Sequence, residues 1–336
     1  MTVLDADGHV TETTEQVAKY LDEPYRRRPL TFPFYPWDGW DRRMLGRLGD
    51  WAGDAATWLK ALDQGGVEAV VLYPTLGLFM SFLKDREWAV ALCRAYNSLL
   101  AEEFIQVSPR LKAVALLPIQ DPEAAAVELR RAVRELGCVG GMLAADGSHL
   151  LGDARFIPIY EEAQRLDVML AIHASGSHLG GAGVELFPRF IQAHTVSHPF
   201  GQMRQLTSII FEGIPERFPR LRLAFLEAGC GWVPYWMERM DDEYAKRGAA
   251  EAPALKKKPS EYVRGGTLYF SCEADEWLLP QALRLISENQ IIYASDFPHW
   301  DHNYPDSIEE ILSRGDLTDL QKIKIFSDNA RRLYRL

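Results

Sequence analysis

Thr2-Val-Leu-Asp-Ala-Asp-Gly-His-Val10 reads as a short strand whose C-terminal end carries two side chains able to bind a metal, Asp7 and His9. The same arrangement returns three times along the chain. Val168-Met-Leu-Ala-Ile-His173 ends on His173, Leu221-Arg-Leu-Ala-Phe-Leu-Glu227 on Glu227, and Ile291-Ile-Tyr-Ala-Ser-Asp296 on Asp296. In a barrel of parallel strands the C-terminal ends all meet at one mouth, where catalysis takes place. Four strand ends that supply metal donors to one mouth point to an enzyme.

Working outward, short β-branched runs alternate with longer helical patterns. Strands are expected at 2–7, 67–73, 112–117, 139–144, 168–173, 221–227, 267–272 and 290–295. Between them, apolar residues recur at three- and four-residue spacing over 86–106, 122–136, 154–166, 201–217, 230–246 and 275–288, which predicts helices. Alternation of this kind implies an α/β fold with parallel strands and crossover helices. Eight units imply a (β/α)8 TIM barrel spanning 1–336 as one domain, with an open doubly wound sheet as the alternative. No Gly-x-Gly-x-x-Gly follows the first strand, which removes the main argument for a dinucleotide fold.

Two segments depart from the repeat. Residues 24–54, rich in Pro, Trp, Arg and Gly, read as an insertion or lid after the first strand; residues 174–200 read as a long loop after the fifth. Both are expected over the barrel mouth, where long loops serve as lids or substrate walls. Residues 318–336 read as a terminal helix closing the bottom or side of the barrel.

Composition narrows the setting. The 336 residues are 47% hydrophobic and 25% charged, with 37 basic against 47 acidic residues and a net charge of −10. Nucleic-acid binding needs a basic patch or stripe. The densest basic runs, Arg26–Arg28 and Lys256–Lys258, are three residues long and read as solvated loops; an arginine of the first run binding an acidic substrate is the alternative. Cys93, Cys138, Cys230 and Cys272 are widely spaced, as reduced thiols rather than a disulfide framework or zinc ribbon. The N-terminal residues have no secretory pattern, and no apolar run approaches the roughly 20 residues of a membrane span. A cytoplasmic protein without a membrane segment is the expectation.

A divalent metal needs several N or O donors converging from rigid elements. Asp7 and His9, two apart on a strand, face the same side, and His173 and Asp296 reach the same mouth. Imidazole with carboxylate suits Zn, Fe, Mn or Co and leaves a position for water, whose pKa the ion lowers, or for a substrate oxygen that it polarises. A single histidine at a strand end is ordinarily structural; agreement among four strand ends favours a metal.

These residues resemble the amidohydrolase superfamily, and specifically the amidohydrolase-related branch that includes aminocarboxymuconate-semialdehyde decarboxylase and aromatic-acid decarboxylases. The resemblance rests on Asp5-Ala-Asp7-Gly-His9, on Phe211-Glu-Gly-Ile-Pro-Glu-Arg-Phe-Pro219, on Leu226-Glu-Ala-Gly-Cys-Gly-Trp232 and on Ser295-Asp-Phe-Pro-His299. It covers nearly the whole chain. It implies a metal-dependent TIM barrel with Asp7, His9, His173 and Asp296 at the ligand positions, and an oligomer, a homodimer first. Two departures stand out. Glu227 occupies a position that is often histidine in the superfamily. No lysine ends the fourth strand, so the carbamylated-lysine bridge of many dinuclear members is unavailable.

Further polar candidates crowd the region: His198 before Pro199 at a helix start, His299 three residues after Asp296, Glu12 three after His9, and Glu273 after the seventh strand. With Glu227, His198 and His299 as donors there are enough for two metals, the environment of a non-haem di-iron monooxygenase, which a few proteins resembling this branch are described as. The rival role for these histidines is acid–base duty or hydrogen bonding to the carboxylates. His178 and His194 are weaker candidates, and His149 and His302 read as surface residues. The leading expectation is a metal-dependent hydrolase or non-oxidative decarboxylase acting on a small organic or aromatic acid, amide or lactone. Asp296 then exchanges the proton, with His198, Glu227 and His299 as further catalytic candidates and Glu227 also as a fifth metal donor. The oxygenase is the alternative, and a non-enzymatic ligand-binding barrel comes third. Trp37, Trp40, Trp51, Trp58, Trp232, Trp277 and Trp300 read as pocket wall for an aromatic substrate, as lid core or as a subunit interface.

Overall fold

Every strand residue but Lys112, which is half-buried, is buried, as expected where helices cover one face and a barrel interior the other. In the computed structural model, which describes residues 1–27, 53–147, 149–175 and 183–336, the strands are β1 (Leu4–Val10), β2 (Ala69–Pro74), β3 (Leu111–Ala113), β4 (Ala115–Leu116), β5 (Gly140–Ala144), β6 (Met169–His173), β7 (Leu223–Leu226), β8 (Leu268–Cys272) and β9 (Ile291–Tyr293). All ladders are parallel, in the orders β1-β2-β3 and β4 through β9. The third expected strand, 112–117, is interrupted at Val114, so β3 and β4 are halves of one strand. Bridging bonds run from Val114 N to Leu72 O (3.2 Å) and from Val139 N to Ala113 O (2.9 Å). Closure between β9 and β1 is made by Asp296 N to Asp7 O (3.0 Å) and His9 N to Phe297 O (2.8 Å). The TIM barrel is therefore closed, and an open sheet is ruled out.

The expected helices are present, several started by an aspartate cap. Asp85 accepts from Trp88 N ahead of Arg86–Leu100, and Asp121 accepts from Ala124 N ahead of Pro122–Arg131, with proline in the first turn as helix starts favour. The chain's last stretch, Asp319–Ile323 through Asn329–Tyr334 with a π-helical turn between, closes the N-terminal end of the barrel. Tyr334 Oη donates to Ala6 O (2.7 Å) and lies 2.7 Å from Tyr73 Oη, so a tyrosine pair fills the interior below the mouth. Among the described residues, no helix is long and apolar enough to cross a membrane. All four cysteines are free and buried, and the exposed Arg26, Arg27 and Lys256–Lys258 read as solvated.

One expectation fails. Residues 190–200 are not loop: the helix Phe190–Phe211 begins eleven residues before the expected start at 201, with Pro199 inside it. His194 thus sits on a helix, not on a lid, and His198 lies within that helix instead of at its start. Of the expected insertion 24–54, the structure describes only its ends, including the 3-10 turn Tyr25–Arg27. Arg28, Trp37, Trp40, Trp51 and His178 lie outside the described residues.

Gly8 shows how tightly β1 is held. A Cβ there meets the Trp58 ring at 2.3 Å and Val70 at 2.6 Å, while Trp58 Nε1 donates to His9 O (2.9 Å). Trp58 is thus a barrel-wall residue, fully buried, rather than a pocket wall. Gly8→Ala is expected to lower unfolding free energy by about 2–3 kcal/mol through overpacking, measured by urea denaturation; an unchanged midpoint contradicts it.

Candidate metal centre

Asp7 and His9 leave β1 beside a register shift between Asp5 and Gly8, a bulge of the kind that re-aims side chains near sites. Asp7 Oδ1 comes to 3.5 Å from His9 Nε2 and 3.2 Å from His173 Nε2, and His9 Nε2 lies 3.2 Å from Asp296 Oδ1. Glu227 Oε2 is 3.3 Å from His173 Nδ1 and 3.4 Å from His198 Nε2; His299 Nδ1 is 2.6 Å from Asp296 Oδ1 and 3.6 Å from Glu227 Oε1. All seven side chains named from the sequence as ligand or catalytic candidates thus converge.

Each imidazole is anchored on one nitrogen. His9 Nδ1 donates to Pro74 O (2.9 Å) and His173 Nδ1 to Ala174 O (2.7 Å); a carbonyl can only accept, which fixes the proton on Nδ1 and leaves each Nε2 lone pair facing the mouth. His198 Nδ1 lies 3.3 Å from Ser197 Oγ, and His299 Nε2 3.1 Å from Thr75 Oγ1. The backbone contributes as well. Glu227 and Asp296 adopt left-handed conformations, φ +58° and +56°, which cost non-glycine residues of order 1–2 kcal/mol and cluster where function demands them.

Four polar atoms in this cluster are buried without a hydrogen-bond partner: Asp7 Oδ2, His9 Nε2, Glu227 Oε2 and Asp296 Oδ1. Such atoms ordinarily cost about 1–3 kcal/mol apiece. One atom each from Asp7, His9 and His173 lie within 4.8 Å of one another, as do those of His9, Glu227, Asp296 and His299. A divalent cation satisfies these donors together, and mixed imidazole and carboxylate donors suit Zn, Mn or Fe. The residues fit the ion.

Titration follows from the crowding of carboxylates. Burial opposes charge on His173, but Asp7 and Glu227 outweigh it and raise its pKa to about 9. Against the same opposition, Glu227 raises His198 to about 9. Burial pushes Asp296 upward, yet His299 beside it brings it down to about 2; His198 and His173 likewise hold Glu227 well below the ordinary range despite its burial. In the absence of a cation, protons on the histidines balance the carboxylates.

Supporting residues surround this centre. Asp5 accepts from Ser295 N (3.0 Å), Ser295 Oγ and Asp7 N (3.2 Å), tying β1 to the residue before Asp296; burial lifts its pKa to about 7. Glu12 accepts from Thr75 N (3.0 Å) and Gly77 N (2.7 Å), so it braces the loop that carries His299's partner instead of facing the metal. A cavity of about 670 Å³ opens outward and is lined by His194, His198, Glu227, Glu273, Asp301 and His302 among others, with no lysine or arginine among its described lining residues. His302, read from sequence as a surface residue, lines this cavity and packs on Phe297 at 4.9 Å. His149 is half-buried against Phe156, not a plain surface residue. His194 also lines it, 3.6 Å from Asp301. Trp300 packs edge-to-face on Phe190 and His194, and Trp277 is 91% exposed.

A protein-family model described as amidohydrolase matches residues 5–336. The chain belongs to the amidohydrolase family. Curated relatives include gamma-resorcylate decarboxylase of Rhizobium sp., 27% identical over 90% of this chain and 92% of the relative. Another is 2-amino-3-carboxymuconate-6-semialdehyde decarboxylase of Dictyostelium discoideum, 26% identical over 71% of this chain and 65% of the relative. Among solved structures, 5-carboxyvanillate decarboxylase of Novosphingobium aromaticivorans complexed with manganese and 4-hydroxy-3-methoxy-5-nitrobenzoic acid superposes with TM-score 0.73 at 21% identity, covering 100% of this chain and 96% of that one. That likeness establishes the fold. Family membership and the decarboxylase relatives make the chain a metal-dependent enzyme.

Proposed function

We propose that this amidohydrolase-family enzyme is a non-oxidative decarboxylase of a small aromatic or conjugated acid, with one divalent ion held by Asp7, His9, His173 and Asp296. The observation that carries this reading is the set of orphaned donor atoms at strand ends, Asp7 Oδ2, His9 Nε2 and Asp296 Oδ1. The bound ion supplies Lewis-acid binding of the substrate carboxylate and a neighbouring oxygen. The protein's residues handle the proton. Decarboxylation breaks the carbon–carboxyl bond, leaves its electron pair on the substrate and requires a proton at that carbon. His299 Nδ1 lies 2.6 Å from Asp296 Oδ1 as an ion pair, and this pair delivers the proton, with His198 and Glu227 as the adjoining reserve. The described cavity wall offers no cation besides its histidines, which favours a substrate with a single carboxylate and an otherwise neutral body.

Incubation of the manganese-loaded enzyme with ortho-hydroxylated benzoic acids in D2O is expected to release CO2 and place deuterium at the vacated carbon. Hydrolysis of amides or lactones with no CO2 from any acid overturns it. A second reading, a di-iron oxygenase, is supported by the surplus donors Glu227, His198 and His299 beyond the four of the first ion. It requires two iron atoms per chain and substrate-dependent oxygen uptake, and either measurement returning nothing removes it.

A further inference from the structure

The helix Phe190–Phe211 turns an unusual face toward the strand ends. His198, Gln202 and Gln205, spaced four and three apart, share one side of it, and all three are buried. His198 reaches Glu227. Gln205 Nε2 donates to Ala145 O (2.6 Å) and His149 O (3.0 Å), and its Oε1 accepts from Leu151 N (2.8 Å), so its polar atoms are satisfied. Gln202 differs. Its Nε2 donates to Ile172 O (2.8 Å) and Leu226 O (2.7 Å), the carbonyls immediately before His173 and Glu227, while its Oε1 is buried without a partner. Two acceptors force the NH2 to face the strands, so the amide orientation is fixed by chemistry.

We propose that Gln202 is a positioning residue for the metal centre, clamping the ends of β6 and β7 so that His173 and Glu227, with His198 one turn away on the same helix, keep a fixed separation. Its role rests on the reading of His173 and Glu227 as site residues. A donor with two hydrogens is needed to bridge both carbonyls, and the stranded oxygen is the cost of having it there. Positioning shells of this kind typically change metal affinity 10–100-fold when removed.

The barrel contains its own control. Gln290 is also fully buried with an unpartnered Oε1, and its Nε2 bridges two carbonyls, Val263 O (2.6 Å) and Leu268 O (2.5 Å). Leu268 and Ile291 begin β8 and β9, so this clamp lies at the opposite end of the barrel from the metal centre. Gln202→Met and Gln290→Met remove the same bonds at the two ends. Manganese affinity measured by calorimetry, and the visible absorption of the cobalt-substituted protein, read ligand geometry; thermal denaturation reads the fold. Both variants are expected to lose comparable stability, whereas only Gln202→Met weakens manganese binding, about 10-fold or more, and shifts the cobalt spectrum. Equal affinity and unchanged spectra in both variants overturn the proposal, as does an equal loss of affinity in both. Absence of manganese binding by the unaltered protein instead sinks the metal reading under the proposed function, so the two failures are distinguishable.

Discussion

His173→Ala is expected to abolish stoichiometric manganese binding and to lower kcat/KM by about 10³-fold or more, a loss of roughly 4 kcal/mol of transition-state stabilisation. His173 joins the two halves of the centre. Its Nε2 lies 3.2 Å from Asp7 Oδ1, and its ring edge lies 3.3 Å from Glu227 Oε2. The neighbouring histidines are held by contacts of their own, His9 Nδ1 on Pro74 O and His299 Nε2 against Thr75 Oγ1, so neither is free to swing into its place. Metal analysis after dialysis against buffer containing manganese gives the first answer, and progress curves with an ortho-hydroxylated benzoate the second. A cavity left by the imidazole lowers stability too, so the unaltered and variant chains are compared after chelation, where loss of metal is common to both. One manganese retained per chain in the variant removes His173 from the ligand set. His149→Ala, whose ring packs half-buried on Phe156, is the matched histidine deletion outside the site and keeps its metal.

The barrel was legible because its signal is redundant. Each strand is an apolar run of the length that a doubly covered parallel strand requires, and each metal-centre strand ends on a residue costly to bury without a partner. That is why Asp7, His9, His173, Glu227 and Asp296 are all found where their strand ends predict. The first half of the helix Phe190–Phe211 was illegible for the converse reason. Its buried residues there are Ala193, Ser197 and His198 instead of large aliphatic ones, so the apolar period that marks a helix is missing, and Pro199 reads as a boundary. Gln202 lay within the expected helix 201–217, but a polar side chain gives no sign in sequence of facing inward. Asp5 offered a better signal, a third carboxylate-or-imidazole position in the alternation Asp5, Asp7, His9, yet its partner Ser295 is 290 residues away and pairs with it only through barrel closure. The left-handed backbone at Glu227 and Asp296 has no signature in residue type at all.

Metal and pH are expected to act on stability together. In the metal-free chain, His173 and His198 titrate near pH 9, against about 6.5 for unfolded histidine. A raised pKa contributes stability that is fully present below about pH 6.5 and is lost as pH rises through 9. Asp296, lowered to about 2, has the opposite sign: its contribution is present above about pH 4 and is lost only as pH falls toward 2. Between pH 6.5 and 9 the chelated protein therefore loses on the order of a few kcal/mol as the carboxylates shed their proton counterions. Manganese reverses this. The ion takes the place of those protons, its apparent affinity rises as they cease to compete, and stabilisation by a ligand grows with its concentration over Kd. Asp5 and Glu12, which burial raises to about 7, also lose stability with rising pH, but in both forms, so they cancel in the difference. The gap in Tm between manganese-loaded and chelated protein should widen steadily from pH 6 to pH 9. A gap that stays flat or narrows means that the histidine protons and the metal do not compete for the same carboxylates, and the seven-residue cluster is then not the metal centre.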